Sequence, residues 1–128
     1  MKRDRKMKKY KILAIDDETG FTDAIKEYFT PLNFEVFVAG RGDIGLAMIV
    51  KERPDIVLLD LKMPSMEGDE VLMRMKDICP DAKPIIITAY NDNGKTKEKL
   101  LNMGAAGYFD KPISSLVDLE KLIVNLLK

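Results

Sequence analysis

The sequence has no histidine and only one cysteine, Cys79. Acid–base catalysis by imidazole, an intramolecular disulfide and the usual His/Cys zinc sets are thereby excluded. Any metal must be held by oxygen, which points to a hard cation such as Mg²⁺. Long apolar runs are missing too. Nothing approaches the ~18 consecutive apolar residues of a membrane span, and the apolar stretch after the basic N-terminus is short and ends in acids. Neither a signal peptide nor a transmembrane helix is expected, and the protein is expected to be cytoplasmic with no membrane contact. Repeats and low-complexity stretches are absent, and 128 residues leave room for one folded domain rather than two.

What is present is an ordinary globular composition, 46% hydrophobic and 33% charged, with eight glycines and six prolines. The formal net charge is zero but unevenly spread. At the start of the chain Lys2, Arg3, Arg5, Lys6, Lys8, Lys9 and Lys11 face a single acid, Asp4, so the remainder is acidic. We read a basic N-terminal tail at 1–10 and one folded domain at 11–128. Its acidic body predicts no direct DNA binding.

From Tyr10 onward short β-rich apolar runs alternate with amphipathic segments of helical period. The pattern predicts strands at Lys11–Ile15, Phe34–Val38, Ile56–Leu59, Ile85–Thr88 and Gly107–Phe109. Helices are predicted at Thr19–Thr30, Gly42–Arg53, Gly68–Ile78, Gly94–Met103 and Ser115–Leu127. Runs such as Ile56-Val57-Leu58-Leu59 and Ile85-Ile86-Ile87 are apolar on both faces, as parallel strands covered by helices on each side require. The expected fold class is α/β, a doubly wound (βα)₅ sheet of five parallel strands. Ligands of such sheets bind at the carboxyl ends of the strands, which directs the search for chemistry to the residues just after them.

Asp16 and Asp17 follow the first strand, Asp60 and Thr88 end the third and fourth, and Lys111 follows the fifth. Three carboxylates in one place repel one another unless a cation sits among them, and a divalent ion with oxygen ligands resolves this. An aspartate so placed can attack phosphorus, while the metal, a lysine and a hydroxyl neutralise the oxygens of the transferring group. The chemistry indicated is phosphoryl transfer. Met63, Met66, Met73 and Met75 are read as core fillers or helix-lining residues and are assigned no function.

The strings Ile15-Asp16-Asp17-Glu18, Leu58-Leu59-Asp60-Leu61-Lys62-Met63-Pro64 followed by Gly68, Thr88-Ala89 and Lys111-Pro112 resemble the signature of response-regulator receiver domains. The resemblance covers Lys11–Leu127. It implies the flavodoxin-like strand order 2-1-3-4-5, with Asp60 as phosphoacceptor. It further implies Asp17 and Asp60 as Mg²⁺ ligands, Asp16 holding the ion or a water on it, and the carbonyl of Lys62 completing the set. Thr88 and Lys111 would contact the phosphoryl oxygens, Thr88 and Tyr108 would form the switch, and Pro112 would follow a cis peptide bond. Lys62 and Tyr90 occupy the positions that tune the rate of phosphate loss, and this Lys/Tyr pairing is similar to that of sporulation-phosphorelay receivers. The implied partners are a histidine kinase or histidine phosphotransfer protein and a downstream protein target. Output would run through helix four, strand five and helix five, from a monomer or a phosphorylation-dependent dimer. Such a protein is no conventional turnover enzyme, although it catalyses its own phosphotransfer and autodephosphorylation.

Three other readings compete at the level of function. A receiver excised from a longer transcriptional regulator would share every feature above. A small haloacid-dehalogenase-like phosphatase also uses an Asp nucleophile and Mg²⁺, but it needs a second Asp where Lys62 stands. A flavodoxin would share the sheet, yet Asp16-Asp17-Glu18 would repel phosphate where its phosphate loop belongs.

Overall fold

A computed structural model describes residues 9–64 and 66–128. The basic tail read at 1–10 therefore lies, through residue 8, outside the described residues. In chain order the elements are β1 (Tyr10–Ile15), α1 (Thr19–Phe29), a 3₁₀ turn (Thr30–Leu32), β2 (Phe34–Ala39), α2 (Gly42–Glu52), β3 (Ile56–Leu59), α3 (Gly68–Ile78), β4 (Lys83–Thr88), α4 (Lys95–Asn102), β5 (Gly107–Asp110) and α5 (Leu116–Leu126). The strands form one sheet in the order β2-β1-β3-β4-β5, and every neighbouring pair is parallel. This is the doubly wound (βα)₅ sheet that the alternation of apolar runs and amphipathic segments predicts.

Because side chains alternate across a strand, each central strand feeds two cores. Ile12, Ala14, Ile56, Leu58, Ile85 and Ile87 pack on one face with Ile25 and Phe29 of α1 and Leu119 and Ile123 of α5. On the other face, Leu13, Ile15, Val57, Leu59 and Ile86 meet residues of α2, α3 and α4, among them Ile49, Leu72, Met75 and Leu100. Burying each such side chain stabilises the fold by about 1.5–3 kcal/mol, so the sheet is anchored from both sides and its strand ends are rigid points of attachment. Met63 and Met75 fill core space, Met66 packs against it from half-buried depth, and Met73 lies on the exposed side of α3.

Element ends deviate from the sequence pattern by one or two residues, for backbone reasons. Helix α1 stops at Phe29 because Pro31 falls in the 3₁₀ turn and Asn33 enters the left-handed region at φ 73°. Arg53 does the same after α2 at φ 51°, and Pro54 follows it. Gly94, at φ 87°, precedes α4 rather than opening it. Ser115 caps α5 from outside, its hydroxyl accepting from the Asp118 N–H at 3.2 Å. Strand β4 begins before Pro84, which a pattern reading excludes because proline cannot donate to a ladder. Here only its carbonyl is used, accepting from Ala106 N at 2.6 Å, while Lys83 N donates to the Asp55 carbonyl at 2.9 Å.

Candidate functional site

Asp16 and Asp60 are held side by side by the sheet itself. Ile15 and Leu59 are partners in the β1–β3 ladder, which Asp60 N continues by donating to the Ile15 carbonyl at 3.1 Å, while Asp16 N continues the β1–β2 ladder by donating to the Ala39 carbonyl at 2.9 Å. Both carboxylates are consequently buried, whereas Asp17, one residue on, is exposed. The three can present oxygens that all lie within 4.8 Å of one another. Gly68 closes the site from below. A Cβ there would stand 2.5 Å from the Asp60 carbonyl oxygen and 2.8 Å from the Leu61 Cα, so the start of α3 can approach the β3 end only without a side chain.

Lys111 reaches into this acidic corner from beyond β5. Its ammonium lies 2.7 Å from Asp16 Oδ2, 2.7 Å from Glu18 Oε1 and 3.6 Å from Asp60 Oδ2. The contact with Glu18 is an aligned hydrogen bond; the one with Asp16 Oδ2 is a charge contact off the hydrogen-bond axis, leaving that buried oxygen without an aligned donor. The other Asp16 oxygen accepts from Glu18 N at 2.9 Å. Burial pushes the Asp16 carboxyl above its ordinary value; Lys111 and the Glu18 N–H oppose this, and Asp60 adds repulsion. Burial alone would lower the Lys111 amine, but Asp16, Glu18 and Asp60 outweigh it and hold the amine above the usual lysine value, firmly charged. The peptide bond that follows, Lys111–Pro112, is cis.

Thr88 ends β4, and the main chain of Lys111 is tied to it, Lys111 N donating to the Thr88 carbonyl at 2.9 Å. The Thr88 hydroxyl is buried and accepts from Tyr90 N at 3.2 Å. Asp60, Thr88 and Lys111 share a cleft of about 590 Å³, with Glu18 and Phe21 on one wall and Lys62 and Tyr90 on the other. The Asp60 carboxylate is only loosely held, by Lys62 N at 3.5 Å and by Lys111 at 3.6 Å, so its lone pairs stay open to an electrophile.

Not every residue singled out from the sequence points into the cleft. The Lys62 ammonium turns outward to Glu67, 3.2 Å away, which raises its pKa, and stands 4.5 Å from the centre of the Tyr90 ring. Tyr108 is half-buried and faces a neighbouring hollow of about 210 Å³; its hydroxyl donates to the Tyr90 carbonyl at 3.3 Å. Burial, with Asp110 next in weight, raises its pKa. Sequence reasoning gave no role to Glu18 or to Phe21, whose ring centre lies 4.8 Å from the Lys111 ammonium. The adjacency of Glu18 to the two aspartates was the available signal for the first; the second had none.

Comparison with known proteins decides the family. The model for the response regulator receiver domain matches residues 12–124. The chain belongs to the response regulator receiver family. Over 102 residues, 80% of the chain, this receiver is 41% identical to sporulation initiation phosphotransferase F of Bacillus subtilis, covering 82% of that protein. It is 34% identical over 113 residues to the transcriptional regulatory protein CrdR of Helicobacter pylori, of which it spans 51%. Among solved structures, a CheY-like receiver domain protein from Methanospirillum hungatei superimposes with a TM-score of 0.85 at 34% identity, covering 93% of this chain and 94% of that one. Receivers are signalling modules that interact with histidine kinases or phosphotransfer proteins, not metabolic enzymes, and the haloacid-dehalogenase and flavodoxin readings give way to this one. Among the described residues no helix is long and apolar enough to cross a membrane.

Proposed function

We propose that Asp60 is the phosphoryl acceptor of this receiver and takes the group from a phosphohistidine on a partner kinase or histidine phosphotransfer protein. One Asp60 oxygen forms the new P–O bond as the P–N bond to the donor imidazole breaks, and the bonding pair leaves with that nitrogen. The observation that carries this reading is the loosely held Asp60 carboxylate lining the cleft, 3.6 Å from the Lys111 ammonium and beside two further carboxylates. An oxygen-liganded cation fits the acid set, because three carboxylates converge and Asp16 Oδ2 is buried without an aligned donor. We assign Mg²⁺ to Asp16, Asp17, Asp60 and the carbonyl of Lys62; bound there, it supplies positive charge to the oxygens of the transferring group.

Lys111 brings a second positive charge to the phosphoryl oxygens. The Thr88 hydroxyl, at present an acceptor from Tyr90 N, has its own proton available to donate to them. A move of Thr88 toward the phosphoryl group would release Tyr90 N, and the Tyr90 carbonyl is the partner of the Tyr108 hydroxyl. Thr88, Tyr90 and Tyr108 thus form a continuous path from the acceptor to β5. The output surface for a downstream protein is α4, β5 and α5. Amide spectra with beryllofluoride and Mg²⁺ test this reading. Shifts are expected along α4, β5 and α5 in the wild type and none in Asp60→Asn; shifts confined to the cleft, or persisting in Asp60→Asn, would overturn it.

A further inference from the structure

We propose that Glu18 is a positioning residue that holds the Lys111 ammonium off Asp60 until a phosphoryl group arrives, and thereby sets how readily small phosphodonors load the site. The inference rests on the reading of Asp60 as the acceptor. Of the three acids around Lys111, Glu18 alone makes an aligned side-chain hydrogen bond to it, at 2.7 Å, while Asp60 stands at 3.6 Å. Phe21 limits the ammonium from another side, its ring centre 4.8 Å away. The Lys111 side chain is 12% exposed and that of Glu18 63%, so Glu18 tethers the ammonium from the mouth of the cleft, while Asp16 Oδ2, also at 2.7 Å, holds it from within the cluster of Asp16, Asp17 and Asp60.

The Glu18 carboxylate has no evident local duty. The residue occupies the N-cap position of α1, yet its side chain makes no capping bond, and its backbone is fixed independently by the hydrogen bond from its N–H to Asp16 Oδ1. What it does is engage one of the three N–H donors of Lys111 and fix where the ammonium sits. Swinging that ammonium onto a phosphoryl oxygen on Asp60 therefore stretches or breaks the Glu18 bond. Reach matters in this scheme as well as charge, which separates it from simple repulsion of an anionic donor. Glu18→Gln removes the charge, whereas Glu18→Asp keeps a charge at the mouth but is one methylene short of the ammonium.

The test is the rate of phosphorylation of Asp60 by acetyl phosphate in saturating Mg²⁺, for wild type, Glu18→Gln and Glu18→Asp, with the beryllofluoride dissociation constant measured alongside. Both variants are expected to load about two- to fivefold faster than wild type, the range set by a partly exposed ion pair, and to bind beryllofluoride tighter by a similar factor. Glu18→Gln at the wild-type rate would overturn the inference. So would a fast Glu18→Gln with Glu18→Asp at the wild-type rate, since charge alone would then account for the effect. Failure of the wild type to be phosphorylated at Asp60 would instead overturn the reading on which the inference stands.

Discussion

At Asp16 burial and charge pairing oppose each other within one side chain. Its raised pKa says that the carboxylate charge is costly in the fold, while the raised pKa of Lys111 says that the same contact favours the ammonium. The two agree once exposure is considered: Asp16 is nearly sealed, with 2% of its side chain exposed, and shares one partly accessible lysine with two other acids. A carboxyl whose folded-state value lies above its unfolded value contributes stability that is present below the unfolded value and lost as pH rises through the folded one. Without metal, the wild type is therefore expected to gain stability relative to Asp16→Asn as pH falls through the raised value toward 3.8. At neutral pH Asp16→Asn is expected to be the more stable. Denaturant melts at several pH values in a chelator check this; an Asp16→Asn protein less stable than wild type at neutral pH would contradict it.

Lys62 and Tyr90 act at the same scale. Their side chains stack and line the cleft that holds Asp60, and we propose that they hinder water from reaching an acyl phosphate there. If this shielding costs hydrolysis about 1.4 kcal/mol, the phosphorylated state lives tenfold longer. Phosphate release from Lys62→Asn with Tyr90→Ala, in excess Mg²⁺, is expected to be faster than from wild type by about that factor. Release at the wild-type rate or slower would remove the shielding role.

Among the elements, the junction of β3 with α3 has the least tolerance. Gly68 N donates to the Leu61 carbonyl at 2.9 Å, and a Cβ at Gly68 would meet backbone, not a yielding side chain. Gly68→Ala is expected to lose about 1–3 kcal/mol and, because the clash falls on the Asp60 carbonyl, to impair phosphorylation as well. Wild-type stability and loading rate in that variant would show that the loop shifts freely. This junction also shows what a sequence makes legible. The strands were readable because burial on both faces writes an unbroken apolar run, as in Ile56–Leu59. Element ends were less so: Asn33 is a residue type that favours positive φ, but at Arg53 the left-handed backbone is a property of the fold that the residue does not announce.

For the whole molecule, two helical layers clamp the sheet so that the strand ends, and the chemistry on them, stay in register. The candidate site was legible to the extent that it is built from strand ends: once the sheet is inferred, Asp16, Asp60, Thr88 and Lys111 must converge. Contacts made by side-chain direction were not legible. The Lys111–Glu18 bond joins residues 93 positions apart, and the outward turn of Lys62 toward Glu67 depends on the loop after β3. Everything proposed downstream, from a switch at Tyr108 to a partner surface, rests on one covalent event. Its most direct measurement is peptide mapping of the protein after reaction with acetyl phosphate and Mg²⁺. A single added phosphoryl group on Asp60, absent from Asp60→Asn, is the expected result; modification of the Asp60→Asn protein to the wild-type extent, at another residue, would contradict the account.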